Sequence, residues 1–467
     1  MLQTHASPFA GRWYPAETTQ LRDLIESNLA ESVRRVPFQR NRGLAFVVPH
    51  AAPQYSGVVA ASVYRHLAAL NPDRIVLLGF SHRRSISGIG VPDLDVMSTP
   101  LGAVDLDTAT MQSLSDAAPF HRVSEAVVCD HSIEIQLPFV QTVAPQARLI
   151  PLYIGCLTAD ERAKAGDRLR HLVDEGTVLI ASSDFTHYGP DFGYMPFQLD
   201  DSTPERLRRL DRDLMEAATS LDADQFSKEL RETRSTLCGS DPIGLLLEIV
   251  RGLGGEEIYQ ETLDYQTSGE ITSDYSHCVS YAALGYFRRT AFDVSAQAQR
   301  ELLDLANAAL ANQPPPPVYS PELDQHRNVF VTLYQHGELR GCVGSCRDPE
   351  PLKTAVPELA LSALDDRRFD PVDSGARIDI EISVLTPFKR IHDRAELIAG
   401  EHGGFLEARG RAGLLLPKVA SERGWGTQEF LDALAMKARL PAGIYRDPEA
   451  RLFAFRAQVF SNGAATQ

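Results

Sequence analysis

No apolar run in the 467-residue chain approaches the ~20 residues needed to cross a bilayer, so no membrane span is expected. A basic excess is also lacking: 46 Lys and Arg stand against 62 Asp and Glu, a net charge of −16. Duplex binding needs a basic footprint to neutralise phosphates, so nucleic acid is not expected as a main partner. Cysteine is sparse, with six residues scattered along the chain. That argues against a disulfide-stapled secreted domain. Between Met1 and Tyr14 no charged stretch precedes an apolar one, so no signal peptide is read. A cytoplasmic protein with reduced thiols, free to bind metal or react, is expected.

What is present is the balance of a folded protein: 43% hydrophobic and 23% charged residues. At roughly 100–200 residues per domain, this length calls for two to four domains. Short apolar runs at Leu44 to Val48, Ile75 to Phe80, Leu149 to Ile154 and Val178 to Ala181 are apolar on both faces. Such runs suit buried strands of a mostly parallel sheet. Helical patterns fall between and after them, at Gly57 to Leu70, Ala159 to Glu175 and, in pieces, Pro204 to Leu230. Ser276 to Phe287 reads as a last strand. The expectation is an α/β first domain over residues 1–290, a linker at 291–297, and a smaller α+β domain over 298–467. The second domain opens with a helix near Ala296, followed by four prolines, Pro314 to Pro317, and strand-like runs such as Val329 to Tyr334. Consecutive prolines are stiff and extended, and are expected to limit how far the second domain roams.

Nine of the thirteen histidines lie in the first domain. His50 follows the first apolar run, His82 the second, and His187 comes just beyond the fourth. Ligands of an open parallel sheet bind outside the carboxyl ends of its strands, so these three imidazoles are expected to converge. In Asp130-His131-Ser132-Ile133-Glu134, His131 and Glu134 are three apart and would share a face if helical. Asp184 and His187 have the same spacing, and a carboxylate there can hold an imidazole in one tautomer. Cys238 precedes an apolar helical pattern. A thiol at a helix start has a lowered pKa and suits metal binding or attack, although the position equally suits a buried small hydrophobe.

These residues carry a resemblance. Ala10-Gly11-Trp13-Tyr14-Pro15, Pro49-His50-Ala51, Gly79-Ser81-His82, Asp130-His131-Ser132-Glu134, Ser182-Ser183-Asp184-Phe185-His187 and Cys238-Gly239-Pro242 occur in that order. Together they resemble the Memo family, also called AmmeMemoRadiSam system protein B, over residues ~5 to 287. The resemblance implies the fold of class III extradiol ring-cleaving dioxygenases, a mixed, largely parallel sheet flanked by helices. It also implies metal ligands at His50, His82 and Cys238. It places His187 at the general-base position, with Asp184 and His131 lining the site. Ala52 and Pro53 depart from the family's usual glycine and aromatic. Cys238 stands where oxygenase relatives have a carboxylate. A thiolate softens the site, so ring cleavage does not carry over, and the expected metal is iron, with copper or zinc as alternatives.

The second domain resembles the AMMECR family, AmmeMemoRadiSam system protein A, over residues ~298 to 462. The resemblance rests on Leu339-Arg340-Gly341-Cys342-Val343-Gly344, Asp366-Arg367-Arg368-Phe369 and Gly413-Leu415-Leu416-Pro417. Gly341 and Gly344 permit sharp bends or a close approach of another backbone, and Arg340 and Cys342 beside them suit a cofactor- or substrate-binding cleft, although a tight turn with a core cysteine fits the pattern equally. Cys342 and Cys346 begin the cysteine spacing of radical S-adenosylmethionine enzymes, but the third position is Pro349. The chain is therefore not the radical enzyme, and both family names imply a separate radical S-adenosylmethionine partner. Three readings follow: a metal-dependent oxidoreductase component acting on a small molecule or peptide, a metal-binding scaffold for the radical enzyme, or a zinc-dependent hydrolase.

Overall fold

In a computed structural model of the chain, the described residues are 3–40, 42–124, 129–346, 349–373 and 377–463. They divide into two compact units, Met1–Ala291 and Phe292–Gln467. Within residues 291–297, Phe292 and Val294 are buried and the helix Ala296–Leu310 begins. The proline run is coil inside the second unit. It joins that helix to the next strand and does not connect the units, so its stiffness sets nothing about how far they range.

The first unit is built from twelve strands: β1 (Thr4–Ala6), β2 (Gly43–Val48), β3 (Arg74–Gly79), β4 (Ile89–Pro92), β5 (Val96–Thr99), β6 (Gly102–Asp105), β7 (Phe120–Val123), β8 (Arg148–Ile154), β9 (Thr177–Ser182), β10 (His187–Tyr188), β11 (Ile258–Thr267) and β12 (Cys278–Arg288). The main sheet runs β10–β12–β2–β9–β3–β8–β4–β7, with β11 on β12. Its centre, β2, β9, β3 and β8, is parallel, and these are the four apolar runs seen in the sequence. Helices such as Pro53–Leu70 and Ser240–Gly252 supply its buried apolar cover. The outer pairings β12–β2, β11–β12 and β4–β8 are antiparallel. The largely parallel character therefore belongs to the centre of a mixed sheet. β1, β5 and β6 form a separate small sheet.

The second unit holds two antiparallel sheets of four strands each. One comprises β13 (Val329–Gln335), β14 (Glu338–Gly344), β15 (Asp379–Leu385) and β20 (Ala457–Ser461); the other, β16 (Lys389–Ile391), β17 (Gly403–Ala408), β18 (Arg411–Leu415) and β19 (Arg451–Phe455). Val329, Val331, Leu333, Ile380 and Ile382 alternate onto one face of the first sheet and pack with Leu302, Leu305 and Val356 of two helices. Gly341 works as its residue type suggests: a Cβ there would lie 1.9 Å from the Ala363 carbonyl oxygen, so the end of helix Leu352–Leu364 sits directly against β14.

Candidate metal centre

Because β2, β9 and β3 are parallel neighbours, their carboxyl ends emerge at one edge. His50 follows β2, His82 follows β3 and Asp184 follows β9. Gly79, the last residue of β3, lets the turn His131–Glu134 close on this edge; a Cβ there would lie 2.5 Å from Ile133 and 2.8 Å from the Ser132 hydroxyl. The result is a knot of three imidazoles, His50, His82 and His131; His187, expected as the third, is not part of this group. Ring centroids are 5.4 Å apart for His50–His82, 5.4 Å for His50–His131 and 4.0 Å for the stacked His82–His131 pair. One nitrogen of each lies within 4.8 Å of the other two. Trp13, from the Ala10–Pro15 motif, covers His131 with a centroid distance of 4.3 Å.

The surroundings prepare these rings as ligands. Asp130 Oδ1 lies 2.7 Å from His82 Nδ1, and the carboxylate also accepts from the backbone N–H groups of His82 (3.0 Å) and Ser132 (3.0 Å). Burial works against the Asp130 charge, but the His82 hydrogen bond and nearby His131 hold its pKa down at about 2. An ionised carboxylate only accepts, so His82 Nδ1 is the donor to Asp130, and Nε2 is the nitrogen available to an ion. His50 Nδ1 lies 3.0 Å from Ser182 Oγ. Gln136 Nε2 donates to that same Oγ (3.1 Å), and Tyr64 Oη donates to Gln136 Oε1 (2.9 Å), forming a buried polar chain. Burial, then the charge of His82, pushes the His50 pKa down to about 3. Burial, then His50 and His82, does the same to His131, also to about 3. Both are neutral at pH 7, the form that binds a metal.

Cys238 joins from the other side, its Sγ 3.2 Å from His50 Nε2 and accepting from the Asp184 N–H at 3.3 Å. Its neighbour Gly239 must be glycine, since a Cβ would lie 2.5 Å from Ser183 Cβ and 2.6 Å from the Ser182 carbonyl. The expected lowering of the thiol pKa is not found. Burial, followed by the Asp184 charge, pushes Cys238 well above its ordinary range, outweighing the helix start at Ser240. A cation in the site would invert that balance and deprotonate the thiol. A cavity of about 230 Å³ reaches this edge, lined by Phe80, His82, Arg83, Cys156, Cys238 and Asp241.

Two sequence-based assignments of contacts change. Asp184 does not orient His187: its Oδ1 accepts from the backbone N–H groups of His50 (2.8 Å) and Ala51 (3.3 Å), fixing the strand end that carries His50. His187 Nδ1 instead faces the carbonyls of Phe185 (2.9 Å) and Thr236 (3.1 Å). Those groups only accept, so Nδ1 is the donor and Nε2 is the nitrogen turned away from them. The second change concerns His131 and Glu134. They leave one short turn toward different clusters, His131 to the imidazoles and Glu134 to His5. The sequence also gave no sign of Ser182 and Gln136 as partners of His50, because each lies on another element and neither has a spacing signature.

In the second unit, Arg340 and Cys342 share one face of β14, on either side of Gly341. Arg340 pairs with Glu338 at 2.6 Å. Cys342 lies opposite Thr332, whose hydroxyl is 3.4 Å from Sγ, while Asp366 accepts from the Cys342 N–H at 3.0 Å. Lys418 reaches Glu381 and the Tyr334 hydroxyl in the same unit.

Residues 6–285 match the model of the Memo-like protein family. The chain belongs to that family. Residues 299–460 match a second family, AMMECR1, so the chain is a Memo–AMMECR1 fusion. Among curated relatives, a MEMO1 family protein, MK0963, of Methanopyrus kandleri is 32% identical over 291 residues, covering 60% of this chain and 97% of that protein. A MEMO1 family protein of Thermococcus onnurineus is 31% identical, covering 59% and 96%. Protein MEMO1 of Homo sapiens is 30% identical over 285 residues, covering 59% and 94%. The solved structure of the uncharacterized protein PH0010 from Pyrococcus horikoshii aligns at 30% identity with a TM-score of 0.32, covering 35% of this chain and 89% of that one. By its family match, the Memo unit has the dioxygenase-like α/β fold expected from its motifs, followed by a separate AMMECR1 domain. Among the described residues, no helix is long and apolar enough to cross a membrane.

Proposed function

We propose that the Memo unit supplies a mononuclear iron or copper site for redox or oxygen-dependent chemistry within an AmmeMemoRadiSam system. The observation that carries this reading is the readiness of the donors: neutral His50 and His131, and a His82 whose Nδ1 is engaged by Asp130. Such a set fits a transition-metal ion, with His50 and His82 joined by Cys238, His131 or both. When bound, the ion would supply Lewis acidity or redox capacity. The residues around it have separate tasks. Asp130 and Ser182 orient the ligand rings, and Asp184 fixes the His50 backbone. His187, with Nδ1 tied to carbonyls, offers Nε2 to take or return a proton. The cavity beside His82 and Cys238 favours an open, reactive site over a closed scaffold. The AMMECR1 unit, with Arg340 and Cys342 on β14, would bind substrate or the separate radical enzyme.

Metal content of protein purified without oxygen tests the reading. Near one equivalent of iron or copper is expected, with loss in His50→Ala, retention in His187→Ala, and loss in whichever of Cys238→Ser and His131→Ala removes a ligand. An unmetallated wild-type chain that also fails to take up iron or copper in vitro would refute it.

A further inference from the structure

Back to back with the imidazole knot lies a second cluster that the proposed function does not use. His5 is the middle residue of β1, Cys129 precedes Asp130, and Glu134 ends the turn that begins at His131. His5 Nε2 is 3.1 Å from Glu134 Oε1. One nitrogen of His5, the Cys129 sulfur and one Glu134 oxygen all lie within 4.8 Å of one another. Cys129 is 4% exposed and Glu134 0%. The second carboxylate oxygen, Glu134 Oε2, is buried and has no hydrogen-bond partner among the described residues. Tyr153, also fully buried, lies near Cys129 and Glu134.

We infer that His5, Cys129 and Glu134 form a second, buried metal site of zinc type. The donors are an imidazole, a thiol and a carboxylate, the three kinds that zinc takes. Their spacing suits it, since tetrahedral ligands at about 2.1 Å from an ion stand about 3.4 Å apart. The orphaned Glu134 oxygen is the decisive detail. A buried carboxylate oxygen without a donor is costly, and a cation beside it removes that cost. Without metal, burial pulls the His5 pKa down, but contacts with Cys129 and Glu134 outweigh it and lift it to about 10. A metal would take the proton's place, releasing it to solvent on binding.

The site has a structural consequence for the first. Cys129 and Glu134 bracket the Asp130–His131 segment that orients His82 and supplies His131. An ion held by the bracket would brace that segment and tie β1, a strand of three residues, to it.

Cobalt(II) titration of the full chain tests the site, because only a thiolate ligand gives an intense near-ultraviolet charge-transfer band. In Cys238→Ser, cobalt added beyond two equivalents, enough to fill both clusters, should still raise that band. In Cys238→Ser/Cys129→Ser it should be gone. Glu134→Gln, which keeps the shape and the thiol, should weaken cobalt and zinc binding at the band-forming site by more than about tenfold. Absence of a thiolate band in Cys238→Ser, persistence of the band in the double variant, or unchanged affinity in Glu134→Gln would each overturn the assignment and leave an imidazolium–carboxylate pair in its place.

Discussion

Replacing Asp130 by Asn probes how the first site is held. The substitution keeps size and shape but exchanges one accepting oxygen for an NH2 group. Both oxygens of Asp130 are used: Oδ1 by His82 Nδ1 and the Ser132 N–H, Oδ2 by the His82 N–H. The amide can retain the Oδ1 pair only by turning its NH2 toward the His82 N–H, leaving one part-buried donor facing another, at a cost of about 1–3 kcal/mol. The ionisation argument gives a similar figure. The Asp130 pKa falls from 3.8 to about 2 on folding. At 1.36 kcal/mol per unit, that is on the order of 2 kcal/mol of stability. The folded pKa is depressed, so this stability is present above about pH 4 and is lost as pH falls toward 2. Urea unfolding of metal-free protein should therefore show Asp130→Asn about 2 kcal/mol less stable at pH 7, with the gap closing below pH 4. Metal affinity should fall about 10–100-fold, since the carboxylate sets the His82 tautomer. A variant as stable as wild type, or a gap indifferent to pH, would refute the reasoning.

Two further outcomes follow from the same structure. Metal-free protein should lose stability as pH falls from 6.5 toward 3, because His50 and His131 bind protons in the unfolded chain but resist them when folded. The slope approaches about 1.4 kcal/mol per pH unit for each imidazole, and denaturant midpoints that stay flat from pH 7 to 5 would contradict it. Gly341→Ala places a methyl group 1.9 Å from a backbone oxygen of the neighbouring helix. It should destabilise the AMMECR1 unit by about 1–3 kcal/mol while leaving the unfolding of the Memo unit unchanged, as separate calorimetric transitions would show.

The order of elements was largely legible because the central strands are buried on both faces and therefore read as unbroken apolar runs. β2, β3, β8 and β9 all appear where such runs occur. The outer strands β4 to β7 are short and β11 alternates, so their signal was weak; the antiparallel pairings β12–β2, β11–β12 and β4–β8 supply the mixed part of the expected mixed, largely parallel sheet. The helix Pro53–Leu70 begins four residues before its recognised apolar pattern, since Pro53 suits a first turn that periodicity does not register. The prolines at 314–317 looked like a connector because composition reports stiffness without reporting which unit a segment packs against.

The site divides the same way. His50 and His82 could be named from sequence because each follows a strand, and parallel strands deliver their ends to one edge. That much is local pattern plus a general rule of sheet topology. Spacing alone could not say which groups hold those rings. Asp184 and His187, three apart, suggested a pair, yet β9 ends in a loop that turns Asp184 back to the His50 backbone and leaves His187 to carbonyls of Phe185 and Thr236. His131 and Glu134 likewise seemed to share a face, but a single short turn points them into two clusters. The sequence by itself determined the fold class, the two units and the placing of His50 and His82 at one strand edge, because these depend on hydrophobic pattern and chain order, whereas the third imidazole is His131 and not the expected His187. Only the tertiary structure decided tautomers, pKa directions and partners. Those depend on burial and on contacts between residues as far apart as His5 and Glu134, which no periodicity records.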